Sequence, residues 1–302
     1  MGEACMLCPR ACGVVRESGE RGACGQGAEA RVAAASLHRF EEPPISGVRG
    51  SGTVFFVGCP LRCVFCQNQS ISRSHIRGRA VRPEELADLF LSLQEKGAHN
   101  INLVSPTQFV PAVAKALERC RAQLNIPVVY NSSGYEKVQT LRTLEGLVDI
   151  YLPDFKYYDD GLAQRYSGVS HYRTHGLAAV EEMLRQTGAP VWKEEDGCSL
   201  LKRGTVIRHL VLPGCRKDSM AVLSLLAERF SKETFLVSIM SQYTPEFAPE
   251  EADGNLKRRL TRFEYESVIE HAAALGLQGF AQERSSATAA FTPDFEKNSE
   301  DF

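Results

Sequence analysis

The chain has 302 residues, 43% of them hydrophobic and 24% charged, with a formal net charge of -2. It is long enough to bury a full core, and its charge balance gives no electrostatic reason to expect nucleic acid or an anionic membrane as partner. No apolar run reaches the roughly 18 residues of a membrane span, the N-terminus does not read as a secretory leader, and ten cysteines point to metal in a reducing, cytoplasmic setting rather than to disulfides.

The first chemistry in chain order is CMLCPRAC followed by RGACGQG, which places Cys5, Cys8, Cys12 and Cys24 together. Pro9 and the glycines favour tight turns in which backbone amides can face sulfur. Four cysteines complete a site, so this one is expected to be closed, either structural or an electron relay. Zinc and an auxiliary [4Fe–4S] cluster both suit it. ARVAAASLHRF, from Ala30 to Phe40, reads as a strand or extended arm, with His38 a packing or surface residue. Glu41-Glu42-Pro43-Pro44 breaks any regular element and reads as a hinge. We therefore expect a Cys-rich metal-binding segment over 1–45, a core domain over 46–283 and a polar surface tail over 284–302.

The stretch that organises the core is GTVFFVGCPLRCVFCQNQ, Gly52 to Gln69. Thr53 to Val57 reads as a buried strand, and Gly58 ends it. Cys59, Cys63 and Cys66 then fall on the loop at its carboxyl end, where α/β proteins keep their chemistry. A cubane [4Fe–4S] cluster needs a ligand for each of four irons; three cysteines leave one iron open to a ligand that is not protein. The rival is a zinc site with His75 as fourth ligand, although zinc sites favour paired C-x-x-C knuckles.

The spacing C-x-x-x-C-x-x-C, with Phe65 before the last cysteine, resembles the signature of radical S-adenosylmethionine (SAM) enzymes. The longer string EEPPISGVRGSGTVFFVGCPLRCVFCQNQSIS resembles the PflX-like subgroup related to pyruvate formate-lyase activating enzyme. That subgroup carries a cysteine segment similar to the one at the N-terminus.

After the cysteine loop, strands and helices alternate. Pro83 opens a helix on which Leu86, Leu89, Phe90 and Leu93 recur at helical spacing before Gly97 closes it. Strands are expected over 100–104, 127–130, 148–152, 206–212 and 235–239, with a last short one at 278–281. Helices carry Val110 to Leu124, where Cys120 is a core thiol, then Val138 to Leu147, Leu177 to Gln186, Met220 to Phe230 and Phe263 to Leu275. Such alternation means a parallel sheet with helices outside. About six βα units fit either an open sheet or an incomplete barrel. The resemblance implies the latter, an α/β partial (βα)6 barrel.

The ends of these strands are where SAM would be held. Ser105-Pro106-Thr107 stands where many family members have Gly-Gly-Glu, so the hydroxyls of Ser105 and Thr107 remain while the carboxylate is missing. Ser132, in Asn131-Ser132-Ser133-Gly134, resembles a ribose-binding turn. Asp154-Phe155-Lys156 puts Asp154 and Lys156 on one side of an extended chain; a structural ion pair is the rival reading. In VIRHLVLPG, Arg208 suits a carboxylate, and His209 faces the other way. Asn68 and Gln242 match family positions near SAM. Cys198 and Cys215 are singletons, and His171 and His175 lie in a polar loop.

The resemblance implies that SAM, chelated to an open iron and given one electron by a flavodoxin- or ferredoxin-like donor, splits to methionine and a 5′-deoxyadenosyl radical that abstracts hydrogen. It also makes a partner protein's backbone glycine the leading substrate. A small-molecule substrate, an iron–sulfur electron carrier and a zinc-stabilised scaffold are the alternatives; a carrier needs no strand ends bearing Asp154, Lys156 and Arg208.

Overall fold

The computed structural model describes residues 2–73, 78–249, 252–283 and Phe295. His75 lies outside the described residues, as does the expected tail apart from Phe295. The strands are β1 (Ala30–His38), β2 (Ser51–Phe56), β3 (Arg79–Val81), β4 (Ile101–Val104), β5 (Val128–Ser132), β6 (Ile150–Pro153), β7 (Val191–Glu195), β8 (Cys198–Leu210), β9 (Leu236–Met240) and β10 (Gly279–Ala281). The helices are α1 (Pro43–Ser46), α2 (Gln69–Ser72), α3 (Pro83–Glu95), α4 (Val110–Cys120), α5 (Val138–Arg142), α6 (Asp160–Ser167), α7 (Tyr172–Thr187), α8 (Arg216–Arg229) and α9 (Arg262–Ala274).

The sheet runs β10-β9-β8-β6-β5-β4-β2-β1-β3. Every pair from β2 to β10 is parallel, and β1 is antiparallel to both its neighbours. Helical crossovers join the parallel strands, as parallel pairing requires. The result is the α/β partial barrel expected.

Period-two alternation sorts each strand's side chains between two cores. Val54, Leu103, Val128, Tyr130 and Tyr151 face outward and pack under the helices together with Leu86, Phe90, Val113, Leu117 and Met183. On the other face, Val129, Leu152, Val206 and Leu236 meet Ile45. That isoleucine belongs to α1, which closes the end of the barrel where the strands begin; Asn100 Nδ2 donates to the Ile45 carbonyl at 2.7 Å. The hinge is thus a plug. Its Glu41 and Glu42 side chains meet Arg208 of β8 inside the barrel.

Three elements escape a periodicity search. β3 is three residues long. β7 and the first part of β8 form an antiparallel hairpin, Val191↔Arg203 to Glu195↔Cys198, whose first strand is almost wholly exposed. α6 is short, and its Asp159 cap accepts from the Gly161 and Leu162 amides. Phe295 corrects the expectation of a surface tail at that residue: it is 3% exposed and sets its ring edge-on to Phe55 at 5.2 Å.

The N-terminal segment lies across the carboxyl ends of the strands. Arg10 Nε donates to the Pro60 carbonyl at 2.9 Å, and the Leu7 carbonyl accepts from Thr140 Oγ1 at 2.7 Å. Arg16 donates to the Gln108 carbonyl at 2.5 Å.

Candidate metal centre and the barrel mouth

Gly58 turns the chain out of β2 with φ +83°, and its N–H donates to the Ile71 carbonyl at 2.9 Å. The following loop is held by the end of α6, where Arg62 N–H and Val64 N–H donate to the Ser167 and Tyr166 carbonyls at 3.1 and 2.8 Å. Cys63 Sγ lies 2.9 Å from Ser167 Oγ, and Cys66 Sγ lies 3.5 Å from Ser72 Oγ. Phe65 is buried and meets Tyr166 and Tyr243 edge-on, so an aromatic wall keeps water from one side of the loop. Burial, then the neighbouring thiols, push the Cys59 thiol well above its ordinary range. Burial also raises Cys63, against the opposing pull of Lys156.

Lys156 joins this loop to the strand ends. Its Nζ donates to Asp154 Oδ2 at 2.7 Å, and its charge also faces Cys63 and Cys66. Burial alone would lower its pKa, but Asp154 and the thiols hold it raised. Arg208 completes the array, with Nε 3.2 Å from Asp154 Oδ1 and NH1 3.1 Å from Glu41 Oε2. Burial opposes the ionised form of Asp154, yet the two cations keep its pKa lowered. Glu42 stays raised by its own burial despite Arg208, and its Oε2 has no hydrogen-bond partner.

A cavity of about 710 Å³ opens beside the loop, within the range of small-ligand sites. Asn68, Arg208 and Gln242 line it, with Asn131, Ser238 and Met240. Gln67 Nε2 donates to the Gln242 carbonyl at 2.8 Å, tying the cysteine loop to the end of β9. Ser105, Thr107, Ser132, Asp154 and Lys156 stand outside this lining. Ser105 holds φ +55° at the end of β4, a conformation costly for a residue with a Cβ.

Thr107 spends its hydroxyl on Glu136, donating to Oε1 at 2.7 Å. Glu136 is the residue that sequence reasoning passed over. Its carboxyl group is buried beside the Ser105-Pro106-Thr107 turn that lacks one, and its Oε2 has no partner. Burial raises its pKa to about 7, against hydrogen bonds from Thr107 and Ser132. Nothing in a single sequence marks it, because it follows a turn and belongs to no periodic element.

His209 is structural, its Nδ1 2.7 Å from the Phe155 carbonyl. His175 packs edge-on to Tyr135, and His171 caps α7 in the left-handed region. Cys198 lies in the β7–β8 hairpin and Cys215 caps α8.

The N-terminal thiols form a second gathering. Cys5 and Cys24 are buried and Cys8 and Cys12 half-buried. Cys12 hydrogen-bonds Cys5, and Arg16 NH2 donates to Cys24 Sγ at 3.2 Å. A side chain at Gly22 would come within 3.1 Å of Cys12 Sγ and 3.6 Å of Cys24 Sγ.

Residues 53–190 match the family model described as the Radical SAM superfamily. The chain is 31% identical over 290 residues to an uncharacterized protein of Methanocaldococcus jannaschii, an alignment covering 90% of this chain and 75% of that one. The chain belongs to the radical SAM superfamily. Two solved structures share its fold. Streptococcus suis SuiB bound to S-adenosylmethionine gives a TM-score of 0.51 at 14% identity, over 74% of this chain and 48% of that one. HydG, a maturase of the [FeFe]-hydrogenase, gives 0.51 at 12% identity, over 80% and 51%. The chain thus spans about half the length of each.

Membership of the radical SAM superfamily implies a [4Fe–4S] cluster and SAM. The donor set fits a cluster. Three soft sulfurs, none in a disulfide, converge at a strand end, and thiolates suit iron–sulfur centres. Among the described residues, the one group of three ligating side chains within 4.8 Å of one another is His99, Glu195 and Asp196. Arg49 already pairs with both of its carboxylates, so that group is an ion-pair cluster.

Among the described residues no helix is long and apolar enough to cross a membrane.

Proposed function

We propose that Cys59, Cys63 and Cys66 hold a [4Fe–4S] cluster with one iron open to SAM, and that the cavity beside them receives the rest of the SAM molecule. The observation that carries this reading is the placement of Asn68, Arg208 and Gln242 in the lining of a cavity that adjoins the three-cysteine loop. When bound, the cluster and SAM supply reductive cleavage to methionine and a 5′-deoxyadenosyl radical, the chemistry of the cofactors rather than of side chains.

The chain's own part is to bind, orient and keep dry. Lys156 offsets the negative charge that three thiolates bring to a buried loop. Arg208 is available to a carboxylate, because its guanidinium has five donors, of which Asp154 and Glu41 take two in the contacts described here. Asn68 and Gln242 offer amides to the adenosine moiety from the lining of the cavity. Ser105, Thr107 and Ser132 shape the strand ends beneath it, with Glu136 behind them. The electron comes from a flavodoxin- or ferredoxin-like donor.

The substrate in this reading is an extended polypeptide segment presenting a glycine, as for an activating enzyme of the PflX-like type. Support comes from the open side of the barrel. There the cavity is rimmed by His38 at the end of β1, by Arg39 and Phe40 after it, and by the edge strand β10, and a strand edge accepts an extended backbone.

The test is oxygen-free incubation with SAM and dithionite, followed by chromatography for 5′-deoxyadenosine. The wild type forms it and Cys63→Ala does not. If both form it, or neither does although iron is bound, the assignment fails. A glycyl-radical signal in a co-purifying protein supports the polypeptide substrate, and consumption of a small molecule instead refutes it.

A further inference from the structure

We infer that Tyr157 and Ser167 form a hydrogen-bond chain onto Cys63 that eases one-electron reduction of the centre at Cys59, Cys63 and Cys66. The inference rests on the cluster proposed above. Neither residue lines the cavity assigned to SAM; both act through Cys63, as positioning residues.

The geometry comes from two elements outside the cysteine loop. Tyr157 follows Lys156 beyond the end of β6, and Ser167 is the last residue of α6. The Ser167 and Tyr166 carbonyls accept from the Arg62 and Val64 N–H groups at 3.1 and 2.8 Å, and these two residues flank Cys63. The end of α6 therefore fixes the loop on both sides of that cysteine, with Cys63 Sγ 2.9 Å from Ser167 Oγ. The Tyr157 hydroxyl lies 2.7 Å from the same Oγ. Ser167 and Tyr157 are 0% and 1% exposed, so water does not compete for either hydroxyl. Among the described residues the Ser167 hydroxyl makes these two hydrogen bonds and the Tyr157 hydroxyl makes one.

The ligand chemistry sets the direction of the protons. A cysteine bound to iron is a thiolate and can only accept. Ser167 has one proton to give, so it donates to Cys63 Sγ. Its oxygen is then the acceptor for Tyr157, and the phenol must be the donor. The order is Tyr157 to Ser167 to Cys63, and in such a chain each donor polarises the next. Cys66 Sγ has the Ser72 hydroxyl at 3.5 Å. Ser167 is thus the nearer of the two serines, and it is backed by a second hydroxyl.

Hydrogen bonds to cluster sulfur help to set the reduction potential. Reduction adds one negative charge, and fixed donors favour the more negative state. The chain therefore moves the potential upward. The electron comes from the flavodoxin- or ferredoxin-like donor, which is oxidised by one electron. No bond breaks, and both protons stay on their oxygens.

The experiment is a redox titration of protein purified and reconstituted without oxygen. Electron paramagnetic resonance follows the reduced-cluster signal that Cys59→Ala/Cys63→Ala/Cys66→Ala lacks. At a fixed potential, the ratio of reduced to oxidised cluster in Ser167→Ala should be about tenfold below wild type, a drop of about 59 mV for one electron. Tyr157→Phe should lower the same ratio by about twofold. The double variant should fall no further than Ser167→Ala alone, because the phenol acts only through the serine. A wild-type potential in Ser167→Ala, or effects that add in the double variant, overturns the chain. A merely structural pair would lower iron content or melting temperature while the cluster that remains keeps the wild-type potential. Should Ser167→Ala hold no iron, Tyr157→Phe decides, since it deletes one oxygen and keeps the ring: a lowered potential supports the chain and an unchanged one overturns it. A wild type with no signal that depends on the three cysteines overturns the function proposed above, and this inference with it.

Discussion

Glu136→Gln isolates a single buried carboxyl group. Glu136 is raised from its ordinary value of 4.5 to about 7, mainly by burial. The native chain therefore holds a proton that the unfolded chain releases between those two values. Stability must fall as pH rises through this window and level off above it. At about 1.36 kcal/mol per pH unit the loss is about 3 kcal/mol. Unfolding entropies of about 2.1 cal/mol/K per residue, over 302 residues, turn that into about 5 °C of melting temperature. The substituted glutamine cannot titrate, so the variant lacks this contribution at every pH. Its amide leaves a buried N–H where Oε2 had no partner, which costs about 1–3 kcal/mol, but that cost does not vary with pH. Scanning calorimetry in oxygen-free buffer at pH 5 and pH 8, at one scan rate, compares the two slopes. Wild type should lose about 5 °C more than the variant between these pH values. The groups facing Glu136, Asp154 of β6 and Tyr130 of β5, remain in both proteins and cancel. Parallel slopes would refute the argument.

Four further outcomes follow from the same packing. Asp154→Asn leaves Lys156 without its carboxylate, while Arg208 keeps Glu41 at 3.1 Å; the expected cost is about 3 kcal/mol, read by thermal melting, with iron content unchanged. Gly134→Ala forces a Cβ to 2.0 Å from the Asp154 carbonyl oxygen at φ +70°, so backbone must move and the melting temperature should fall by more than about 5 °C. Gly146→Ala, at φ +78° but with nothing within 4 Å, should cost only about 1–2 kcal/mol. Cys120→Ala removes a buried thiol that bonds only the Leu117 carbonyl; elemental analysis should find the same iron as in wild type, at a stability cost of about 1 kcal/mol.

How much of this was legible in the sequence depends on what each element buries. β2, β4, β5 and β9 are covered on both faces, so they read as short apolar runs, and these four fall within two residues of the strands expected, whereas β8 begins at Cys198, eight residues before its expected start. The helices between them carry one apolar stripe and a clear start, as at Pro83. The β7–β8 hairpin gives no such signal, because Val191 to Glu194 are exposed and leave no buried face for an apolar run to mark. The cysteines were legible through spacing. Asp154, Lys156 and Arg208 were legible through their places at strand ends, and the structure brings the three into one ion-paired array. Glu41 and Glu42 read as part of a hinge, since a sequence of two acids and two prolines gives no hint that its carboxylates enter the barrel. Glu136 was invisible for a related reason: a buried carboxyl group identifies itself by what surrounds it, and those neighbours come from β4 and β5.

The seat of the N-terminal cysteines is built from Pro60, Gln108 and Thr140. During synthesis, at about 5–20 residues per second, the ribosome makes Cys5 roughly 7–30 seconds before Thr140 exists. For that interval the four thiols have no surface to rest on and stand open to oxidants and stray metal ions. Nascent chains stalled before Thr140 should therefore be far more readily alkylated at these cysteines than those stalled after it.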